Sequence, residues 1–428
     1  MSLRKRFKTV LCSVRLEEVT ILLAACFPIL PFYARSASLA FLLILAFFNV
    51  KKSCRTSAEY IQFMAMFGLA YLALALSLFV STDLNTGFNE LGQLAPLLIV
   101  PLSFLFLKDY LSAQVVNRFV WVFVLSTFLL ATYQVIHIGL NWNGIFGPIT
   151  ESEIVSFNLD LLPAVPEYLT DRVMSQRLRT FTIDLTGTHP TYQALWLAAS
   201  VYFLFKRFFI KPAKNWYCLI VVILAFGWVY FIGSRMGQIA MILVLLGTTY
   251  TQIKSFKIKA VAWGCFAVAL WLAYNHPRFQ EIAEGLNPSI SAEHIAHYNS
   301  SNVRLAVWRC SIETIKDNPW FGTGVGDIQP KLNACYKSNF GALVFTWSQY
   351  NTHNQFLHFW AATGIFGLIL FVFQLGGLMK GLKKSHYFDG WAIFALAVLF
   401  MLTENILVRS DGIHFFSTFM ALYVYAKR

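Results

Sequence analysis

Charge is scarce in this chain. Asp, Glu, Lys and Arg make up 13% of its 428 residues, whereas soluble domains carry about 25%. That deficit excludes an ordinary soluble globule. Several chemistries are also missing. No internal repeat or low-complexity tract occurs, and no pair of aspartates of the kind that chelates a metal–nucleotide donor is present. A serine-hydrolase elbow is absent too. Gly322-Thr323-Gly324-Val325-Gly326 lacks the preceding strand and the following Lys-Ser/Thr of a phosphate loop, and reads as a flexible turn after Pro319. His294 and His297 have no carboxylate or cysteine set to complete a metal site.

What is present is apolar. Hydrophobic residues make up 57% of the chain and aromatics 17%, and mean hydropathy is +0.58. The apolar residues fall into twelve runs, at 17–34, 37–50, 60–80, 92–107, 117–139, 190–206, 215–233, 236–252, 258–274, 355–379, 388–405 and 411–426. Most approach the roughly 20 residues that cross a bilayer as a helix. Backbone groups in lipid must be satisfied within their own segment. The fold expected for 1–428 is therefore a single all-α polytopic membrane domain of about 12 transmembrane helices.

The net charge of +13 invites a nucleic-acid reading, but its distribution argues against one. Arg4, Lys5, Arg6 and Lys8 precede the first run, which places the N-terminus in the cytoplasm. Alternation then puts Lys51, Lys52 and Arg55; Lys108; Arg207, Lys211 and Lys214; Lys254 and Lys257; and Lys380, Lys383 and Lys384 on that side. Lys427 and Arg428 close the chain there. The start also resembles a secretory signal, with an apolar stretch from Val19 to Leu30 before Ala34, Ser36, Ala37 and Ser38. Apolar residues resume at Leu39, which favours retention.

Two long segments then fall outside, 140–189 and 275–354. Within the second, 302–316 reads as an amphipathic helix, capped by Ser301 or Asn302 and stopped by Asp317-Asn318-Pro319. Of the seven cysteines only Cys310 and Cys335 are expected outside, in an oxidising compartment. Whether they pair depends on a spatial separation that a sequence does not carry.

The informative residues sit where a passive membrane protein would not keep them. Arg235, in Gly233-Ser234-Arg235-Met236-Gly237, and Arg409, in Leu407-Val408-Arg409-Ser410-Asp411, lie at outer helix ends. Arginines at helix ends often snorkel to the interface, but the outer side is the wrong one for the positive-inside bias. Arg409 has Glu404 and Asp411 as alternative partners. Arg304 stands one turn before Trp308 and by itself reads as a surface charge stacked on that ring. A guanidinium fork suits phosphate oxygens. His353, in Tyr350-Asn351-Thr352-His353-Asn354, precedes the tenth run. Imidazole, with an ordinary pKa of about 6.5, can take a proton at neutral pH. Asn351 and Asn354 are placed to fix its tautomer. His189, in Thr188-His189-Pro190, reads as a cap or packing residue.

Taken together, these pieces resemble the superfamily of O-antigen ligases and O-antigen polymerases. The resemblance covers roughly 180–425 through Gly187-Thr188-His189-Pro190, Gly233-Ser234-Arg235-Met236-Gly237, Arg304-Leu305-Ala306-Val307-Trp308, Asn318-Pro319-Trp320-Phe321-Gly322-Thr323-Gly324 and Thr352-His353-Asn354. It implies a twelve-helix GT-C-like bundle in the bacterial inner membrane, with a long periplasmic loop between the ninth and tenth helices. It implies a glycosyltransferase whose donor is a glycan on undecaprenyl pyrophosphate and whose acceptor is lipid A-core or a related glycan. It matches Arg235, Arg304 and His353 to the essential residues, with Arg409 as a further arginine on the donor pyrophosphate. Neither cofactor nor metal is implied. The single dominant outer loop favours a ligase; Arg172, Arg177 and Arg179 in the other long segment point toward a polymerase. A transporter is the rival class, but no two halves with matching broken segments are found.

Overall fold

A computed structural model of the chain describes residues 15–427 apart from 51–54, 152, 154–166, 258, 261–262, 265–266, 269–270, 272–299, 341–344 and 346–348. In chain order its helices begin with α1 (Leu16–Ala24), α2 (Phe32–Val50), α3 (Ser57–Phe63), α4 (Leu69–Leu76), α5 (Leu84–Leu94) and α6 (Pro96–Phe106). They continue with α7 (Ala113–Leu140), α8 (Trp142–Phe146), α9 (Glu167–Thr186), α10 (Pro190–Ile210), α11 (Tyr217–Phe231) and α12 (Arg235–Gln252). Further along the chain come α13 (Ser300–Asp317), α14 (Ile328–Asn339), α15 (Gln355–Ser385), α16 (Phe388–Met401) and α17 (Ser410–Tyr425). Among the described residues, six stretches have the length and apolarity to cross a membrane: Phe32–Val50, Ser57–Val80, Leu84–Phe106, Ala113–Leu140, Pro190–Ile210 and Gln355–Ser385. α11 and α16 are apolar but shorter. The chain is thus an α-helical polytopic membrane protein.

Several boundaries differ from the apolar runs. The run 17–34 is not one helix: α1 stops at Ala24 and α2 begins only at Phe32. Pro28 and Pro31 lie between them, each lacking an N–H and clashing with the preceding turn. The run 92–107 is preceded by α5, a helix too polar to announce itself as apolar, with Pro96 opening α6. The polar segment 140–189 holds α8 and α9. The expected cap residues Ser301 and Asn302 lie inside α13, which starts at Ser300. The run 258–274 falls partly, and His294 and His297 wholly, outside the described residues.

The chain forms two compact units. The first comprises 1–41 and 117–252. Its core is α10, buried at every position from Pro190 to Phe205, the mark of a helix enclosed by other helices. α11 and α12 pack against it. Close approach needs a small residue: a Cβ on Gly237 would sit 2.4 Å from that of Ala194. At the entry to α10, the His189 ring accepts from the Thr191 N–H as an N-cap.

The second unit comprises 42–116 and 253–428. α4 and α13 pack on α15, and α17 packs on α6 and α15. A π-helical segment, Met64–Gly68, precedes α4, and the Gln374 side chain of α15 accepts the Ala70 N–H at 2.7 Å. α15 breaks at Gly364, where φ is 66°. The segment after Pro319 docks on that break. The N–H groups of Thr323 and Gly324 donate to Ala361 and Ala362 carbonyls at 2.8 and 3.0 Å, and Ile365 donates to Pro319 at 2.9 Å. Val325 and Gly326 donate to the Ser77 and Ser81 hydroxyls. Asp327 accepts from the Thr82 and Asp83 N–H groups at 2.6 and 3.0 Å. Burial works against its charge, but these donors and the Thr82 hydroxyl outweigh it and hold its pKa below the usual value. The glycine-rich segment is therefore a backbone clasp on a helix kink rather than a flexible turn.

Candidate active site

In the second unit, three elements present ionisable groups to one point. α13 carries Arg304 in its second turn. Its inner face, with Val303, Ala306, Val307, Cys310 and Ser311 buried, fixes the helix rotation. The strap before α15 carries His353, and the turn between α16 and α17 carries Glu404. Arg304 Nη2 donates to Glu404 Oε1 at 2.8 Å, and His353 Nδ1 lies 3.0 Å from Glu404 Oε2. One carboxylate thus holds both groups, an oxygen to each. The Glu404 side chain is 10% exposed, against 33% for Arg304 and 21% for His353. A ligand can therefore reach the cation and the imidazole while the carboxylate stays shielded.

The two turns that carry His353 and Glu404 are laced together. Asn405 Nδ2 donates to Thr352 Oγ1 at 2.9 Å, Asn354 Nδ2 to the Leu402 carbonyl at 3.0 Å, and the Leu407 N–H to Gln355 Oε1 at 2.7 Å. Thr352, Gln355 and Asn405 are buried, so the Asn405–Thr352 and Leu407–Gln355 bonds are sheltered from water and costly to lose. Asn354 caps α15 by accepting the Phe356 and Leu357 N–H groups. His353 takes φ 43°, a left-handed conformation that costs a non-glycine residue about 1–3 kcal/mol and concentrates at functional sites. The expectation that Asn351 and Asn354 fix the imidazole is corrected. Asn351 accepts the His353 backbone N–H, Asn354 caps the helix, and Glu404 holds the ring.

Arg409 is the exposed N-cap position of α17. Arg235 belongs to the first unit, where it opens α12, half-buried, two residues after Gly233 at φ 68°. In that unit Arg177 spends its whole guanidinium on the fold. It grips both Glu153 oxygens and donates to the carbonyls of Ile145, Gly147 and Pro148. This pairing holds the Glu153 carboxyl down at about 2. Arg179 contacts the His189 ring. Arg35, 3% exposed, donates to the Leu30 carbonyl and the Thr188 hydroxyl and lies over the Trp196 ring.

Sequence reasoning weighed Glu404 only as a partner for Arg409 and passed over Arg35. The usable signal for Glu404 was a carboxylate at the very end of the apolar run 388–405, where an ionisable group calls for a named partner. Cys310 and Cys335 form a disulfide with Cα atoms 5.7 Å apart. They are therefore not thiolate ligands, although Glu313 lies beside them.

The fold and this geometry define a class: a polytopic helical membrane protein with an arginine, a histidine and a carboxylate converging outside its apolar spans. The family model described as O-Antigen ligase matches residues 219–372. That stretch, a little over a third of the chain, includes Arg235, Arg304 and His353, and it bears out the resemblance to the O-antigen ligase and polymerase superfamily. No curated protein matches the chain.

Proposed function

We propose that this protein transfers a glycan from undecaprenyl pyrophosphate to lipid A-core, or to a related surface acceptor, at the outer face of the bacterial inner membrane. The observation that carries this reading is the bridging of Arg304 and His353 by Glu404. A carboxylate on Nδ1 favours the tautomer with a proton there, leaving Nε2 free to accept the acceptor hydroxyl's proton. The same carboxylate holds one Nη2 bond of Arg304 and leaves its remaining donors for phosphate oxygens.

In the proposed step, His353 Nε2 takes the acceptor proton as the hydroxyl oxygen attacks the anomeric carbon. The carbon–oxygen bond to the pyrophosphate breaks, and the leaving oxygen keeps the electron pair. Arg304, with Arg409 of the same unit, stabilises that charge; Arg235 is given a part in it by the family resemblance alone. A single displacement inverts the anomeric configuration. Preorganised charge of this kind is often the largest catalytic contribution, and a positioned base adds roughly 10²–10⁴-fold.

The matching family is one of O-antigen ligases, which favours ligation over polymerisation. So does Arg177, one of the arginines favouring a polymerase, since its donors are consumed by Glu153 and three carbonyls. The test is an assay of the purified protein with undecaprenyl-pyrophosphate glycan, lipid A-core and EDTA. Glycan on lipid A-core supports the ligase. Longer glycan on the lipid carrier makes the protein a polymerase, and transfer to neither acceptor removes both readings.

A further inference from the structure

The disulfide and the site belong to one closed ring of contacts in the second unit. Cys310 lies six residues after Arg304 on α13, where it is fully buried, and its sulfur is bonded to Cys335 on α14. The next residue, Tyr336, is 1% exposed and donates its hydroxyl to the Tyr350 carbonyl at 3.1 Å. Burial pushes that phenol well up, so it stays a donor at any working pH. Gln329 of α14 donates to the same carbonyl at 3.0 Å. Phe345 stacks on Tyr336 at 4.6 Å and meets the Tyr350 ring at 5.7 Å. The Tyr350 ring lies 6.1 Å from the His353 imidazole. From His353 the ring returns through Glu404 to Arg304. α14 thus holds the histidine strap, and one covalent bond ties α14 to the arginine helix. Asn339 Nδ2, donating to Glu313 Oε2 at 2.6 Å, is a further polar tie between the two helices.

We propose that the Cys310–Cys335 disulfide positions Arg304 against His353, so that full transfer needs the oxidised protein. This rests on the transfer reading above, but its structural part is tested without turnover. Making the bond removes two protons and two electrons from the cysteine pair. A dithiol oxidase of an oxidising compartment accepts them by disulfide exchange and leaves as its dithiol. A phosphine reductant, with one water supplying the oxygen and both protons, returns the two thiols and becomes the phosphine oxide. Neither sulfur touches substrate; both act through the helices that they join.

The experiment compares full-length protein, oxidised and phosphine-reduced, with Cys335→Ser and with Arg304→Ala in both redox states. Peptide mapping confirms the redox state of Cys310 and Cys335 in each sample. Reduction is expected to lower kcat about 10- to 100-fold, as a misplacement near 1 Å does. Cys335→Ser shows the same loss and no response to reductant. In Arg304→Ala, reduction changes the residual rate less than about twofold, because the group being positioned is gone. Hydrogen exchange at 302–309 and 350–354 rises on reduction while α17 stays protected. Unchanged exchange at 350–354 overturns the proposal, as does an equal loss on reduction in wild type and Arg304→Ala. An oxidised wild type without transfer removes the transfer reading, and the exchange result still decides the positioning role. Reducing the folded wild type covers the case in which Cys335→Ser does not fold.

Discussion

His353 and Glu404, 51 residues apart in sequence, meet at 3.0 Å between Nδ1 and Oε2, and the other oxygen of the same carboxylate holds Arg304. Imidazole and guanidinium thus share one anchor, and each prediction about the site follows from that sharing.

Glu404→Gln keeps the shape of the side chain but presents one acceptor oxygen and an amide donor where two charged groups need acceptors. One of the two contacts is lost. Transfer should fall about 10²–10⁴-fold in kcat, in the range of a mispositioned base, while the protein remains folded by thermal unfolding in detergent. Unchanged kcat would remove Glu404 from the mechanism.

Arg304→Lys keeps the charge but loses the planar fork, whose geometry suits a carboxylate and a phosphate at once. Lysine should recover less than about tenfold of the 10²–10³ lost in Arg304→Ala. Steady-state kinetics with the lipid-linked donor reads both values.

Arg177→Ala should cost stability and spare chemistry. The Glu153 carboxyl is depressed from its ordinary 4.5 to about 2, chiefly by its hydrogen bonds to Arg177. A depressed carboxylate contributes stability above its unfolded value and loses it as pH falls through the folded one. The destabilisation, about 1–3 kcal/mol for bonds to a charged group, should be full at pH 6 and shrink from about 4.5 toward 2. Thermal unfolding across that range checks the sign. A loss of transfer in folded Arg177→Ala would restore its functional candidacy.

Gly364→Ala tests the clasp. The added Cβ would lie 2.0 Å from the Trp320 carbonyl oxygen at a residue with φ 66°, so both space and backbone oppose it. Strain of about 1–3 kcal/mol from the backbone alone should lower the unfolding temperature. Unfolding at the wild-type temperature would show that the segment after Pro319 is not docked on the kink.

The legible parts of this molecule were those governed by local pattern. Apolar runs such as 60–80, 117–139 and 190–206 became long helices because lipid demands internally satisfied backbone. Arg304 by itself reads as a surface charge, and only the resemblance to the ligase and polymerase superfamily sets it beside His353. Proline split the first run, as local rules require, but the run was read by hydropathy alone. α9 was missed because a polar helix on a membrane protein carries no apolar signature. The ring from Cys310 through Tyr336 and Tyr350 to Glu404 was illegible for a different reason. Each link joins residues far apart in sequence, and pairing at a distance depends on packing that no local period encodes. Glu404 looked like a neighbour of Arg409, five residues on, and is instead the partner of Arg304, 100 residues before it.

The most direct test is a mutant cycle on transfer to lipid A-core, using His353→Ala, Glu404→Ala and the double variant, each verified as folded. If Glu404 acts through the imidazole, the double variant should be scarcely slower than His353→Ala, because removal of the base removes what the carboxylate holds. Independent losses that multiply, or a Glu404→Ala enzyme as fast as wild type, would contradict the account.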